Sequence, residues 1–309
     1  MYGVAERIYA CFRQAEHFTL KEAYATQEDT PRESVRARIY ENLGIRFERI
    51  AKGLYKTKDG AASCIVIEGD GRDLSMIADA SIDCIFTDHP WLDIKSNRGG
   101  NRFFSRYDCF QYTSDDFKEK ARVLKDGCFL VEVLPAENES NYEYLYAIKQ
   151  YAKQNGFEYY AKVAWKKGAF VSNTGRKSKN TQDIMIFSKG PARKLRIDKK
   201  QTAKNGILTY MRGTNGMLPT MFDVPPVNPR NKIHQSELPV ALCESIISFV
   251  TLTGEIILDT FAGSGAVGEA ALNLCRNAIL IENAKNSVIK ICNRLRSILA
   301  FEPCFEAES

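Results

Sequence analysis

The run EIILDTFAGSGAVGEAAL, residues 255–272, constrains the fold more than any other part of the chain. It predicts an apolar strand, a glycine-rich turn and a helix. Gly263, Gly265 and Gly268 satisfy G-x-G-x-x-G, where small residues let backbone approach a ligand and let the helix pack on the strand. NAILIEN then predicts a second strand ending at Glu282, at the distance where an acid accepts hydrogen bonds from ribose hydroxyls. The spacing alone also fits a dinucleotide-binding fold, and it occurs by chance. Position separates these readings. In a chain of 309 residues, the segment after Glu282 suffices for one helix. The remaining strands of the sheet must therefore come from earlier in the chain.

The earlier half supplies them. CIVIEG, IDCIFTD, GCFLVEVLP, FEYYAKVAW and QDIMIFSKG read as strands, and SDDFKEKARVL and NYEYLYAIKQYAKQNG as helices between them. LPVALCESIISFVTL and NSVIKICNRLRSIL predict the remaining helices, and residues 190–232 read as irregular and polar. Strands alternating with helices imply a mostly parallel sheet covered on both faces. IDCIFTD runs into HPWLD. A proline cannot donate to a sheet ladder and pushes the residue before it out of helical geometry. The strand therefore ends there, leaving Asp88 at its carboxyl mouth and Trp91 three residues on. Open α/β sheets bind ligands at such mouths. If both halves form one sheet, a nucleoside-bearing ligand on the glycine turn faces Asp88 and Trp91.

Residues 1–60 read as a separate module. VAERIYACF, TLKEAYA and PRESVRARIYENL predict three helices, the second capped by Thr19 with Glu22 three residues on. IRFERIAKGLYKTKDG predicts two strands around Lys52-Gly53. Three helices and a hairpin suggest a winged helix-turn-helix with Arg32, Arg36 and Arg38 on its third helix; a helical packing module is the alternative. From residue 161 to 204 there are 13 Lys or Arg against two acids, an excess suited to a polyanion or to a solvated loop face. The nine cysteines form no C-x-x-C pair and there are three histidines, so no metal site is expected. No apolar run reaches 18 residues, so no membrane span is expected. The first residues carry acids and do not read as a signal peptide, and the cysteines suit a reducing, cytoplasmic compartment.

Four pieces in this order resemble the permuted β-class of DNA amino-methyltransferases that use S-adenosylmethionine. GDGRDLSMIADASIDCIFTDHPW resembles that family's run into its catalytic D-P-P-Y/W loop. FEYYAKVAWKK and TQDIMIFSKG resemble the strands flanking its variable insert. MFDVPPVNPRNKIHQSELPVAL resembles its approach to the cofactor-side helix, and DTFAGSG its cofactor motif. The resemblance covers roughly residues 64–300. Three positions depart from it: His89 stands for the first proline of the catalytic motif, Leu238 for a lysine and Thr260 for a proline.

The resemblance implies a Rossmann-like, seven-stranded methyltransferase sheet over residues 61–309, with a target-recognition insert at about 168–232. It implies methyl transfer to the exocyclic N6 of a flipped adenine in double-stranded DNA. Cytosine N4, or a non-catalytic DNA-binding regulator on the same fold, stays open. Asp88, His89, Pro90 and Trp91 form the implied catalytic motif. A carboxylate at Asp88 and the main-chain carbonyl of His89 would accept the two amine protons, supporting positive charge as it develops, and Trp91 would stack on the extruded base. Phe261, Ala262, Gly263 and Gly265 would line the cofactor, with Asp259 near its amino group. Glu282 with Asn283 would take the ribose, Asp70 (Asp73 being an alternative) the adenine edge, and Pro239 and Val240 the methionine end. Lys166, Lys167, Arg176, Lys177 and Lys179 are candidates for phosphate or base contact, as are Arg32, Arg36 and Arg38. A homodimer and a restriction endonuclease on another chain are the protein partners the resemblance suggests. The expected setting is bacterial, archaeal, or a phage or mobile element.

Overall fold

The computed structural model of the protein describes residues 4–12, 15, 17–43, 46–57, 62–91, 109–168, 180–195, 200–202, 208–210, 218–234, 236–296 and 298. The amino-terminal elements are α1 (Val4–Phe12), β1 (Phe18–Thr19), α2 (Leu20–Ala25), α3 (Arg32–Glu41), β2 (Phe47–Ala51) and β3 (Leu54–Thr57). Thr19 and Glu22 close a capping box at the start of α2. Gly53, at φ 79°, makes the tight turn between β2 and β3, a conformation that costs glycine nothing. β1 pairs with β3, an addition to the predicted hairpin, so three strands lie in the order β1-β3-β2. Ile8, Phe18, Val35, Ile39, Phe47 and Tyr55 give this unit a core of its own.

The remainder builds one sheet. Its first strands are β4 (Cys64–Glu68) and β5 (Ile82–Thr87); α4 (Ser114–Val123), β6 (Leu124–Pro135), α5 (Tyr142–Gln154), β7 (Phe157–Lys166) and β8 (Thr181–Lys189) follow. Next come a short hairpin of β9 (Lys200–Thr202) and β10 (Leu208–Tyr210), then β11 (Met221–Asp223), α6 (Val240–Val250), β12 (Ile256–Asp259), α7 (Ala266–Asn273), β13 (Asn277–Glu282) and α8 (Lys285–Arg296). The large sheet has the order β11-β7-β8-β6-β5-β12-β13-β4. β8 runs antiparallel to both neighbours, and the other pairings are parallel.

Two differences from the sequence reading concern residues 190–232. They are not wholly irregular, since β9, β10 and β11 lie within them, and β11 gives the sheet an eighth strand. β11 aligns Met221–Asp223 with residues 164–166 of β7, and the Trp165 indole N–H donates to the Val224 carbonyl at 2.8 Å. A buried indole that needs an acceptor thus secures a three-residue strand with no pattern of its own.

Hydrophobic cores lie on both faces. α6, α7 and α8 contribute Leu242, Ile246, Ala270 and Ile291 to one, and α4 and α5 contribute Phe117 and Ile148 to the other. β5 and β12 are central neighbours, with Ile257 opposite Cys84 and Leu258 opposite Ile85. The chain leaves β12 for β13 on one side and β5 for β6 on the other. The sheet therefore has its switch point between β12 and β5, with both carboxyl ends on the same edge.

Candidate active site

The two turns predicted to share a cavity meet at this switch point. The Thr87 and Thr260 hydroxyls, one at the end of each strand, are hydrogen-bonded at 3.0 Å and buried. The loop after β4 lies directly upon them. A Cβ built on Gly71 would fall 1.7 Å from the Thr260 carbonyl oxygen and 2.9 Å from the Phe261 ring. Only glycine permits that approach.

In the glycine-rich turn, Gly263 has φ 52° and its N–H donates to Glu282 Oε2 at 2.8 Å. The other oxygen of Glu282 accepts the Ala284 N–H at 3.0 Å. The acid is thereby held at the turn, and each oxygen retains acceptor capacity for a hydroxyl. Gly265 is left-handed at φ 77° and caps α7. A Cβ on Gly268 would come within 2.6 Å of Leu280 Cδ1, so this glycine serves helix-on-strand packing. Asp259 Oδ1 accepts the Phe261 N–H at 3.1 Å, and Ala262 is buried. Pro239 caps α6 and Val240 begins it. Asp70 and Asn283 are exposed; Asp70 Oδ1 accepts the Arg72 N–H at 2.9 Å. Asp73 makes the same kind of turn with Ser75.

The sequence reading did not single out His234. Its imidazole lies against Gly263, with Nδ1 3.5 Å from where a Cβ would stand. Burial holds its pKa below the ordinary value. Glu237 arranges this segment by accepting the Ile233 and His234 N–H groups. One histidine in a polar connector carries no periodic signal, and only the fold reveals its neighbour.

The turn after β5 is equally constrained. The Trp91 N–H donates to the His89 carbonyl at 2.8 Å, and the Phe110 N–H to the Pro90 carbonyl at 3.1 Å. The first bond uses one lone pair of the His89 oxygen and leaves the other for a substrate donor. Asp88 and Trp91 are half-buried. Burial pushes the Asp88 carboxyl up to about 8, with Asp259 adding to the rise and Lys167 opposing it. Burial likewise pushes Asp259 up to about 7, against the Phe261 N–H and the Thr87 hydroxyl. Two crowded acids with raised pKa values make a site that favours a cation and disfavours a pyrophosphate.

The basic candidates separate. Lys166 pairs with Asp223 at 2.6 Å. Lys167 is half-buried, with its Nζ 4.8 Å from the centre of the Trp165 ring and in electrostatic reach of Asp88. It belongs to the cleft as much as to any outer face. Arg176, Lys177 and Lys179 lie outside the described residues. On α3, Arg36 is exposed, Arg32 lies 5.7 Å over the Tyr24 ring and Arg38 pairs with Glu41.

Comparison with known families returns a match over residues 82–292 to the N6/N4 enzymes described as DNA methylase. The chain belongs to that family. This methylase is 26% identical over 234 residues to the type II methyltransferase M.HpaI of Haemophilus parainfluenzae, covering 72% of this chain and 71% of that one. In fold it is similar to M1.HpyAVI, crystallised as a SAM complex, with TM-score 0.53 and 21% identity, covering 75% of this chain and 98% of that one. It is also similar to the cytosine-N4-specific PvuII DNA methyltransferase, with TM-score 0.53 and 17% identity, covering 78% of this chain and 94% of that one. Among the described residues of the methylase, no helix is long and apolar enough to cross a membrane.

Proposed function

We propose that this DNA methylase transfers a methyl group from S-adenosylmethionine to the N6 amine of an adenine extruded from duplex DNA. The observation that carries this reading is the hydroxyl bridge between Thr87 and Thr260, which joins the two turns at the sheet's switch point. The residues present fit the cofactor. Asp259 provides negative charge for a cation, the Gly263 turn admits close backbone approach, and Glu282 has acceptor capacity for a ribose. When bound, the cofactor supplies an electrophilic methyl on a sulfonium.

The protein's own residues do the rest. An exocyclic amine is a poor nucleophile because its lone pair is delocalised into the ring. Ionised Asp88 accepts one amine proton in a hydrogen bond, and the open lone pair of the His89 carbonyl accepts the other. Together they orient the nitrogen and support its developing positive charge. Asp88, with its raised pKa, is poised to take the proton the amine loses. The Trp91 ring, half-buried beside these acceptors, offers a stacking face worth about 1–3 kcal/mol. Adenine is preferred over cytosine because the motif opens with aspartate, a preference that rests on the resemblance.

Residues 1–60 form a winged-helix module in this reading, supported by the order helix, strand, two helices and a hairpin. Arg32 and Arg36 on α3, with Lys167 in the cleft, add contacts to duplex DNA. Sequencing DNA from cells expressing the protein, with modified bases detected by position, tests the whole: N6-methyladenine in one sequence context is expected. N4-methylcytosine would overturn the base assignment, and no modified base would overturn the activity.

A further inference from the structure

His89 occupies a position at which the resembled family carries proline, and its side chain is fully enclosed. Nε2 lies 2.8 Å from the Tyr144 hydroxyl. That hydroxyl also accepts the Tyr112 N–H at 3.0 Å and can either donate to Nε2 or accept from it. Nδ1 faces Glu132 Oε2 at 3.8 Å and has no hydrogen-bond partner among the described residues; a carboxylate on that side favours the ring proton on Nδ1, with the Tyr144 hydroxyl donating to Nε2. Glu132 is itself fixed by Lys120 and by the Tyr112 hydroxyl at 3.3 Å. Lys120 lies 3.7 Å over the Tyr112 ring, and that ring packs 4.0 Å from the imidazole, centre to centre. Phe110 closes another side at 5.7 Å. Side chains from α4, β6, α5 and the segment before α4 thus converge on one imidazole behind the catalytic turn. This is a costly arrangement, since each buried polar group must be matched.

We propose that His89 is a positioning residue: the Tyr144–His89–Glu132 clamp holds the backbone of the turn, and so the Asp88 carboxylate and the His89 carbonyl, in the orientation that receives the amine. The inference rests on the activity proposed above. A proline holds such a turn covalently by fixing φ near −65°; here one hydrogen bond with Tyr144, the facing Glu132 carboxylate and the packed Tyr112 ring do it. Among the described residues no backbone hydrogen bond uses the His89 N–H, so a proline ring there would break none of them. The clamp acts on orientation and not on cofactor contact. Losing it lowers kcat and leaves cofactor affinity in place.

A double-mutant cycle tests this. Tyr144→Phe should lower kcat about 10-fold in the wild-type background, the effect of one well-placed hydrogen bond. His89→Ala should lower it about 100-fold, the effect of misplacing reacting groups by about 1 Å. Both variants should keep the dissociation constant for S-adenosylmethionine. His89→Pro should recover part of the alanine loss, and in that background Tyr144→Phe should change kcat less than about 2-fold. An unchanged kcat in Tyr144→Phe, an equal cost in both backgrounds, or cofactor affinity falling in step with kcat would overturn the proposal. The imidazole 15N spectrum of the wild type provides a readout independent of the variants. Protonation at Nδ1 with unprotonated Nε2 is expected, and a proton on Nε2 would overturn the clamp. Wild-type inactivity would refute the activity reading and this one with it, whereas an active wild type indifferent to Tyr144→Phe would refute only the clamp.

Discussion

Asp88→Asn should stabilise the methylase while abolishing methyl transfer. The Asp88 carboxyl is pushed from its ordinary 3.8 up to about 8, chiefly by burial. The folded protein therefore binds this proton more tightly than the unfolded chain. In that case stability falls as pH rises from the unfolded pKa through the folded one. The cost begins near pH 4 and is complete above about 8. At pH 7 roughly three pKa units of that window have been crossed, an upper bound of about 4 kcal/mol. Relaxation and residual solvent at a half-buried site reduce this to about 1–3 kcal/mol. Asparagine keeps the shape and carries no charge. The assay is urea denaturation of wild type and variant at pH 5 and pH 8, read as the shift in midpoint at constant slope. The gain should be small at pH 5 and largest at pH 8. A variant less stable than wild type at both pH values, or a gain independent of pH, would refute the claim that the site holds a strained carboxylate for function.

Binding of S-adenosylmethionine should tighten as pH rises from about 6 to 8 and should release a proton, because a cation displaces the one held by Asp259, whose pKa is pushed up to about 7; calorimetry in buffers of different ionisation enthalpy checks this, and proton uptake would contradict it. Gly268→Ala should cost about 1–3 kcal/mol in urea denaturation, since its Cβ would press on Leu280 in a filled core. Gly71→Ala should weaken cofactor binding through the displaced Thr260 peptide, and an unchanged dissociation constant would count against the contact between that loop and the turn. DNA affinity should fall steeply with salt, and Arg36→Ala should lower the logarithmic slope by about one; a flat response would remove the phosphate-binding role.

Much of this architecture was legible because apolar periodicity and breakers agree. Thr19 and Glu22, Gly53 and Gly156 bound their elements as local chemistry dictates. The glycine turn and the Asp88 turn each follow a readable apolar strand, and β5 and β12 pair in one sheet. What escaped the reading is tertiary in origin. β11 is a strand only because β7 offers an edge and Trp165 an anchor. Lys166 looked like a free cation in a basic run, but β11 brings Asp223 beside it. Lys120, Glu132 and Tyr144 resemble ordinary strand and helix residues and Tyr112 an ordinary connector residue, and nothing in their spacing reveals that they surround His89. His234 reaches Gly263 only through the turn of chain before α6.

The central claim is that the Asp88 turn and the Gly263 turn form one reaction cleft. Single-turnover transfer of labelled methyl from S-adenosylmethionine to duplex DNA, measured for wild type and Asp88→Ala beside cofactor binding by each, tests it most directly. Transfer lost in the variant with its cofactor affinity retained is the predicted result; equal transfer by both proteins would contradict the account.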